Sequence, residues 1–318
     1  MTRDELLAEL RASGAEVLAA MQAVPAGRLE SGAYENGWTV RQLLAHLASM
    51  EYAYGRLPDL AHRVASGTVA DNGGAVAIDE YNARQVARRA GYPVAELADE
   101  FARGRARLIN QVRELDEALL AVHVRSAGGS SGTLARVIAA VAAAHVRTYV
   151  RDLLQAASGT PTAAQRASAA LHLAGEEAAQ ICEAASPAAW LRRNGDDWSA
   201  AAIAGHMAEL LPYWATQAAE AAAAPGTRLG RDLGAPERLG GVAQGESVAP
   251  AGAAVLLRRA ATQAASVLEG IPVDAWAKPV PTARFGTISL ERAVALLLVD
   301  HAREHVAQLT AALTAPAS

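Results

Sequence analysis

Two pairs of segments repeat along this chain, and that repeat restricts the possible folds more than any other feature of the sequence. GWTVRQLLAHLASMEYAY, from Gly37, aligns with DWSAAAIAGHMAELLPYW, from Asp197. In each, a Trp followed by Thr or Ser opens the segment, and a His follows the Trp by eight residues: Trp38 to His46, and Trp198 to His206. A second pair is TLARVIAAVAAAHVRTYVRDL, from Thr133, and SLERAVALLLVDHAREHVAQL, from Ser289. Here Thr133 and Ser289 stand twelve residues before His145 and His301, and Arg136 matches Arg292. The order is the same in both halves, so the chain reads as a tandem duplication of one unit.

Each unit reads as four helices. In the first, apolar residues recur at three and four over 4–22, a helix starts at Trp38 or Thr39 and runs to about Ser66, and Thr39 is its expected N-cap. A shorter helix from Asp79 stops before Gly91-Tyr92-Pro93. A third main helix follows in VAELADEFARGRARLINQVREL, and the fourth runs from Thr133 to about Ala157. The corresponding helices of the second unit cover about 163–184, 199–223, 250–270 and 288–313. No segment alternates with the period of two that a half-buried strand needs. Alanine dominates the apolar residues, which make up 52% of the 318, and it favours helix because its side chain loses no rotamer freedom there. The expectation is an all-α protein of two tandem four-helix bundles, 1–157 and 163–318, divided by the Gly/Pro turn SGTPT. Helices two and three are joined by long crossovers, roughly 67–92 and 224–249, as in bundles where those helices run parallel. Each crossover is placed to form a flap over one end of its bundle, where a ligand pocket would sit.

Charge and cysteine content narrow the function classes. Net charge is −4, Lys278 is the only lysine, and no run of basic residues forms the stripe that nucleic acid requires. TLARVIAAVAAAHV is too short to cross a bilayer and is broken by Arg136 and His145, and the acidic amphipathic start is unlike a secretory signal. A soluble, cytoplasmic protein acting on a small-molecule substrate is the expectation, with no nucleic-acid or membrane partner. The single cysteine, Cys182, excludes an internal disulfide and reads as a small buried side chain rather than a nucleophile.

The histidines carry the chemistry. His301 and His305 are four apart on a helix, so they share a face with Cβ atoms about 5–6 Å apart and can reach one ion. His206 lies on the face of helix two that carries Ile203, Leu210 and Trp214. Facing inward together, the three would leave coordination positions open for water or substrate, as a catalytic zinc site requires. The alternative is three histidines satisfied separately by hydrogen bonds at a bundle end.

Trp-(Thr/Ser)-x₆-His opening helix two, with His-x₃-His in helix four, resembles the DinB-like four-helix metalloproteins, and within them the mycothiol-dependent maleylpyruvate isomerase group. The resemblance spans nearly the whole chain as two successive units. It implies a divalent-metal enzyme using a low-molecular-weight thiol such as mycothiol, acting as a thiol S-transferase or a thiol-assisted isomerase. Carried over by position, the metal ligands are His206, His301 and His305, with Zn²⁺ the expected ion. The degenerate counterpart is His46, His145 and Tyr149. A neutral phenol is a poor zinc ligand, so the first site is expected to be metal-free. Tyr149 is the one candidate for a catalytic or hydrogen-bonding group there. DEYNARQVARR (79–89) resembles the polar stretch after the crossover in this family and makes Tyr81, Asn82 and Arg84 candidate pocket or thiol-binding residues; a solvated helical face is the competing reading. The rival functional class is a metal-free ligand-binding protein, or a specialised biosynthetic enzyme reusing the bundle pocket.

Overall fold

The computed structural model describes residues 1–32, 37–69, 78–193 and 198–314. The chain divides into two compact units, Met1–Pro161 and Thr162–Ser318. In the first, the main helices are α1 (Arg3–Ala23), α2 (Val40–Tyr54), α3 (Leu57–Ala65), α4 (Ile78–Arg88) and α5 (Val94–Glu114). A short α6 (Glu117–Leu120) leads into the hairpin of β1 (His123–Arg125) and β2 (Ser131–Thr133). The last helix is built from α7 (Leu134–Ala139), a π turn at Ala140–His145, and α8 (Val146–Ala157). The second unit runs α9 (Ala163–Ala184), α10 (Pro187–Trp190), α11 (Ala200–Ala223), α12 (Pro236–Ser247) and α13 (Pro250–Glu269). It then forms β3 (Pro279–Thr282), β4 (Gly286–Ser289), α14 (Leu290–Val294), a π turn at Ala295–Asp300, and α15 (His301–Thr314).

Both units are all-α four-helix bundles with the same neighbour relations. In the first, α1 and α2 each pack on α5 and on α8; in the second, α9 and α11 each pack on α13 and α15. Helices one and two are therefore diagonal, and helix two lies beside helix four. That adjacency brings His46 toward His145, and His206 toward His301 and His305.

Local signals start the helices. Thr2, Thr39 and Thr162 form capping boxes with Glu5, Gln42 and Gln165, each satisfying two backbone N–H donors at a helix start. Fully buried Leu6, Leu10, Leu18, Leu43, Leu44, Leu47, Leu97 and Phe101 fill the first core. One charged pair stands inside it: Arg105 donates to Glu51 at 2.6 and 2.8 Å, and to Leu10 O and Ser13 Oγ at 2.9 and 2.8 Å, with both side chains wholly buried. Such a pair is tolerable because the two charges neutralise each other and four of the five guanidinium N–H donors are hydrogen-bonded.

Four features differ from expectation. The helix expected to reach Ser66 ends at Tyr54: Gly55 caps α2 and Pro58 sits in the first turn of α3, where its missing N–H costs nothing. The chain enters the fourth helix of each unit through an antiparallel hairpin, His123 opposite Thr133 and Pro279 opposite Ser289, strands too short to register as alternation. Each fourth helix carries a π turn. The Gly-rich crossover of the second unit contains a helix, the 12-residue α12, while 70–77 of the first crossover lie outside the described residues.

The glycines of α12 exist for close approach. A Cβ on Gly245 would fall 2.0 Å from Ala201 O, and one on Gly205 would fall 2.3 Å from Gly241 O. The two helices thus meet backbone to backbone beside His206. Gly240, by contrast, faces open space. Gly245→Ala is therefore expected to lower stability by about 3 kcal/mol in urea denaturation, because the helices must separate. Gly240→Ala should be neutral or stabilising by up to about 1 kcal/mol through helix propensity. Equal effects of the two would contradict this packing.

Candidate metal centre

Helix two supplies the first imidazole of each unit, and the conserved spacing of the repeat has a physical reason: the Trp packs on the His. Trp38 and His46 have ring centroids 4.6 Å apart, Trp198 and His206 5.0 Å. In the second unit His301 and His305 project from α15, one turn apart, and their rings lie 6.2 and 4.9 Å from that of His206. One ligand nitrogen from each of the three lies within 4.8 Å of the others. A tetrahedral zinc ion with Zn–N distances of about 2.0–2.1 Å needs nitrogens about 3.4 Å apart, so shifts of about an ångström close the set on an ion.

Their chemical state suits that role. Burial first, then the neighbouring imidazoles and arginines, push His206 down to about 3 and His305 to about 4; burial also lowers His301. All three are neutral at pH 7, with lone pairs available. His305 Nδ1 donates to Gln308 Oε1 at 2.7 Å, which leaves its Nε2 bare and facing His301 Nε2 at 2.8 Å. That is how a protein orients a ligating ring from behind. His206 Nδ1 is buried without a hydrogen-bond partner. The Glu209 carboxylate lies 3.7 Å from it, one turn further along α11. Since His206 is neutral, this is a carboxylate beside an imidazole rather than an ion pair. Glu209 is itself held by Arg231 at 2.7 and 2.8 Å, and Arg231 lies 4.2 Å over the Tyr213 ring. Gly241 makes room for this: a Cβ there would fall 2.6 Å from that of Glu209. The residues present fit a divalent ion.

The first unit brings the counterpart residues together differently. His46 is buried and pushed down to about 4, by burial first and then by His145. Tyr149 is buried, T-shaped to His46 at 5.5 Å, and its hydroxyl meets His145 Nε2 at 3.3 Å. His145 itself is exposed. The set is thus two imidazoles and a phenol, with one imidazole at the surface. His46 Nδ1 and the Tyr54 hydroxyl are buried without partners. Tyr81 and Asn82 are half-buried and Arg84 is exposed; the ring contacts of His46 are made with Trp38 and Tyr149. Cys182 is buried and its thiol pushed up to about 12 by burial first, an inert side chain.

Sequence reasoning missed Glu209, Gln308, Tyr54 and Arg231, and also Arg238, which lies 4.6 Å over the Trp198 ring. The first two were findable, because each stands three residues after a ligand-position His and so shares its helical face. Both arginines belong to the crossover, where no periodicity places a side chain.

A helical bundle with three neutral imidazoles on helices two and four defines a class of candidate metalloprotein, and comparison with known proteins specifies it. Residues 10–147 match the mycothiol maleylpyruvate isomerase N-terminal domain family, and residues 170–309 match the DinB superfamily. The chain belongs to the DinB-like superfamily, its first half to the mycothiol maleylpyruvate isomerase group. The crystal structure of the mycothiol-dependent maleylpyruvate isomerase is similar over 57% of this chain and 70% of that one, at 19% identity and a TM-score of 0.37. No curated protein matches. No described helix is long and apolar enough to cross a membrane.

The His46 environment has a consequence for pH. The unfolded chain takes up a proton on this imidazole near its ordinary 6.5, the folded chain only near 4. The stability this residue contributes is therefore present above about pH 6.5 and lost as pH falls toward 4. His46→Gln should make the urea midpoint fall less between pH 7 and 4.5 than in wild type. An unchanged fall would contradict a neutral buried His46.

Proposed function

We propose that the second unit holds one divalent ion, zinc, through His206, His301 and His305, and that the protein is an enzyme acting on a small molecule with a low-molecular-weight thiol such as mycothiol. The observation that carries this reading is the convergence of three neutral imidazoles, two of them buried, whose outer nitrogens are held or faced by Gln308 and Glu209. Three protein ligands leave a coordination position for an incoming group. Zinc there would supply Lewis acidity, lowering the pKa of a bound thiol or polarising a carbonyl.

The chain's own residues then have definite tasks. Gln308 keeps the His305 proton on Nδ1. Glu209, fixed by Arg231, stands ready to accept the His206 Nδ1 proton once the ring turns toward an ion. Trp198 shields one side of His206 from water. The reaction is thiol S-transfer or thiol-assisted isomerisation. The likeness of the first unit to the mycothiol maleylpyruvate isomerase family supports mycothiol as the thiol.

In this reading the two units arose by duplication and the first is a metal-free pocket. The unpartnered His46 Nδ1 and Tyr54 hydroxyl favour a hydrogen-bonding ligand or water there, with Tyr149 as a donor; Tyr81 and Asn82 stay candidates for its edge because α4, which carries them, packs on α2. Protein purified without added metal should carry about one zinc per chain by elemental analysis. His206→Ala and His301→Ala should each abolish it, and His145→Ala should leave it. Adding Tyr149→His to His301→Ala should restore a weaker zinc site in the first unit. Zinc retained without His301, or lost with His145, would show that the sites are assigned to the wrong units.

A further inference from the structure

The two crossover helices are attached to helix two of their units in opposite ways. In the second unit α12 lies backbone to backbone on α11, and no Cβ fits at Gly205, Gly241 or Gly245. In the first unit α4 packs on α2, the helix that carries His46. It has no glycine, and of its 11 residues, IDEYNARQVAR, Val86 alone is buried. Tyr81 and Asn82 are half-buried, while Asp79, Glu80, Arg84 and Arg88 are exposed. A helix that buries one apolar side chain is held weakly by the hydrophobic effect.

Its polar attachment comes from one residue. Arg89, just past the last turn, donates from Nε to the two oxygens of Glu100 at 3.0 and 2.9 Å, and from Nη2 to Glu100 Oε1 at 2.5 Å. Its Nη1 donates to the Gln85 carbonyl at 3.0 Å and to Gln85 Oε1 at 2.9 Å. A single guanidinium therefore joins the end of α4 to α5, and at 13% exposure it is largely shielded from water. The chain then turns through Gly91-Tyr92-Pro93. Arg41 of α2 donates to Tyr92 O at 3.3 Å, which ties this turn to the bundle, and a Cβ on Gly91 would meet nothing within 4 Å.

We propose that α4 is a lid on the first unit, detaching from α2 as one piece while the bundle stays folded, with the Arg89–Glu100 pair as its latch and Gly91-Tyr92-Pro93 as its hinge. Opening carries Tyr81 and Asn82 away from α2. The crossover helix of the second unit, α12, is by contrast a fixed wall beside His206. This difference between the units goes beyond the proposed function and needs no metal in either of them.

Hydrogen exchange of the full chain, read by mass spectrometry, tests the lid, because a detached helix of 11 residues is too short to keep its hydrogen bonds in water. After correction for intrinsic rates, the amides of 82–88, which follow the first turn, should exchange about tenfold or more faster than those within α2, α5 and α12. Glu100→Gln removes the charge of the latch and one of its acceptors. It should speed exchange in α4 by about a further fivefold and leave α2, α5 and α12 unchanged. Protection of α4 equal to that of α2 or of α12 would overturn the proposal. So would a Glu100→Gln variant in which α4 and α5 accelerate together, since the pair would then hold the bundle rather than a lid.

Discussion

An imidazole withdrawn from water must find a partner, and the second unit places three such rings between two neighbouring helices. Each is neutral because burial disfavours its charged form. Neutrality removes the repulsion that would otherwise drive three histidines apart, and it leaves lone pairs in a small volume. Much of the surrounding chemistry answers the demand those lone pairs create: Gln308 behind His305, Glu209 behind His206, and Trp198 on one side of His206. The first unit meets the same demand with a phenol, turning one imidazole to the surface and tying it to Tyr149.

The positioning of Glu209 depends on backbone rather than side-chain packing. α12 approaches α11 so closely at Gly205, Gly241 and Gly245 that no Cβ fits at any of the three. This contact fixes the crossover beside His206, makes room for the Glu209 stem, and carries Arg238 to the Trp198 ring. Glycines that read as a flexible connection in the sequence thus serve a rigid contact. The connection and hairpin bearing Arg231 and Arg284 are held by backbone hydrogen bonds of their own.

The parts of the fold legible in the sequence are those set by short-range geometry. Thr39 precedes a periodic run and caps it. His301 and His305 share a face by spacing alone, and the Trp-to-His interval marks where helix two meets its own entry segment. What escaped depends on long-range contacts or on backbone phase. The π turns before His145 and His301 change a hydrogen-bond register that no composition announces. The hairpins are three or four residues per strand. Glu209 and Arg231 meet across a crossover whose path cannot be read from residue order. The break between α2 and α3 was readable, since Gly55 and Pro58 stand there, but the apolar periodicity on either side overrode them.

The central claim is that three imidazoles of the second unit hold a metal ion with a position left for a thiol. X-ray absorption at the zinc edge tests it most directly, on zinc-loaded protein before and after addition of a thiol. The account predicts a first shell of three imidazole nitrogens at about 2.0–2.1 Å with one or two further light atoms, and a new sulfur at about 2.3 Å once thiol is present. A shell with fewer than three imidazoles, or a spectrum that thiol leaves unchanged, would contradict it.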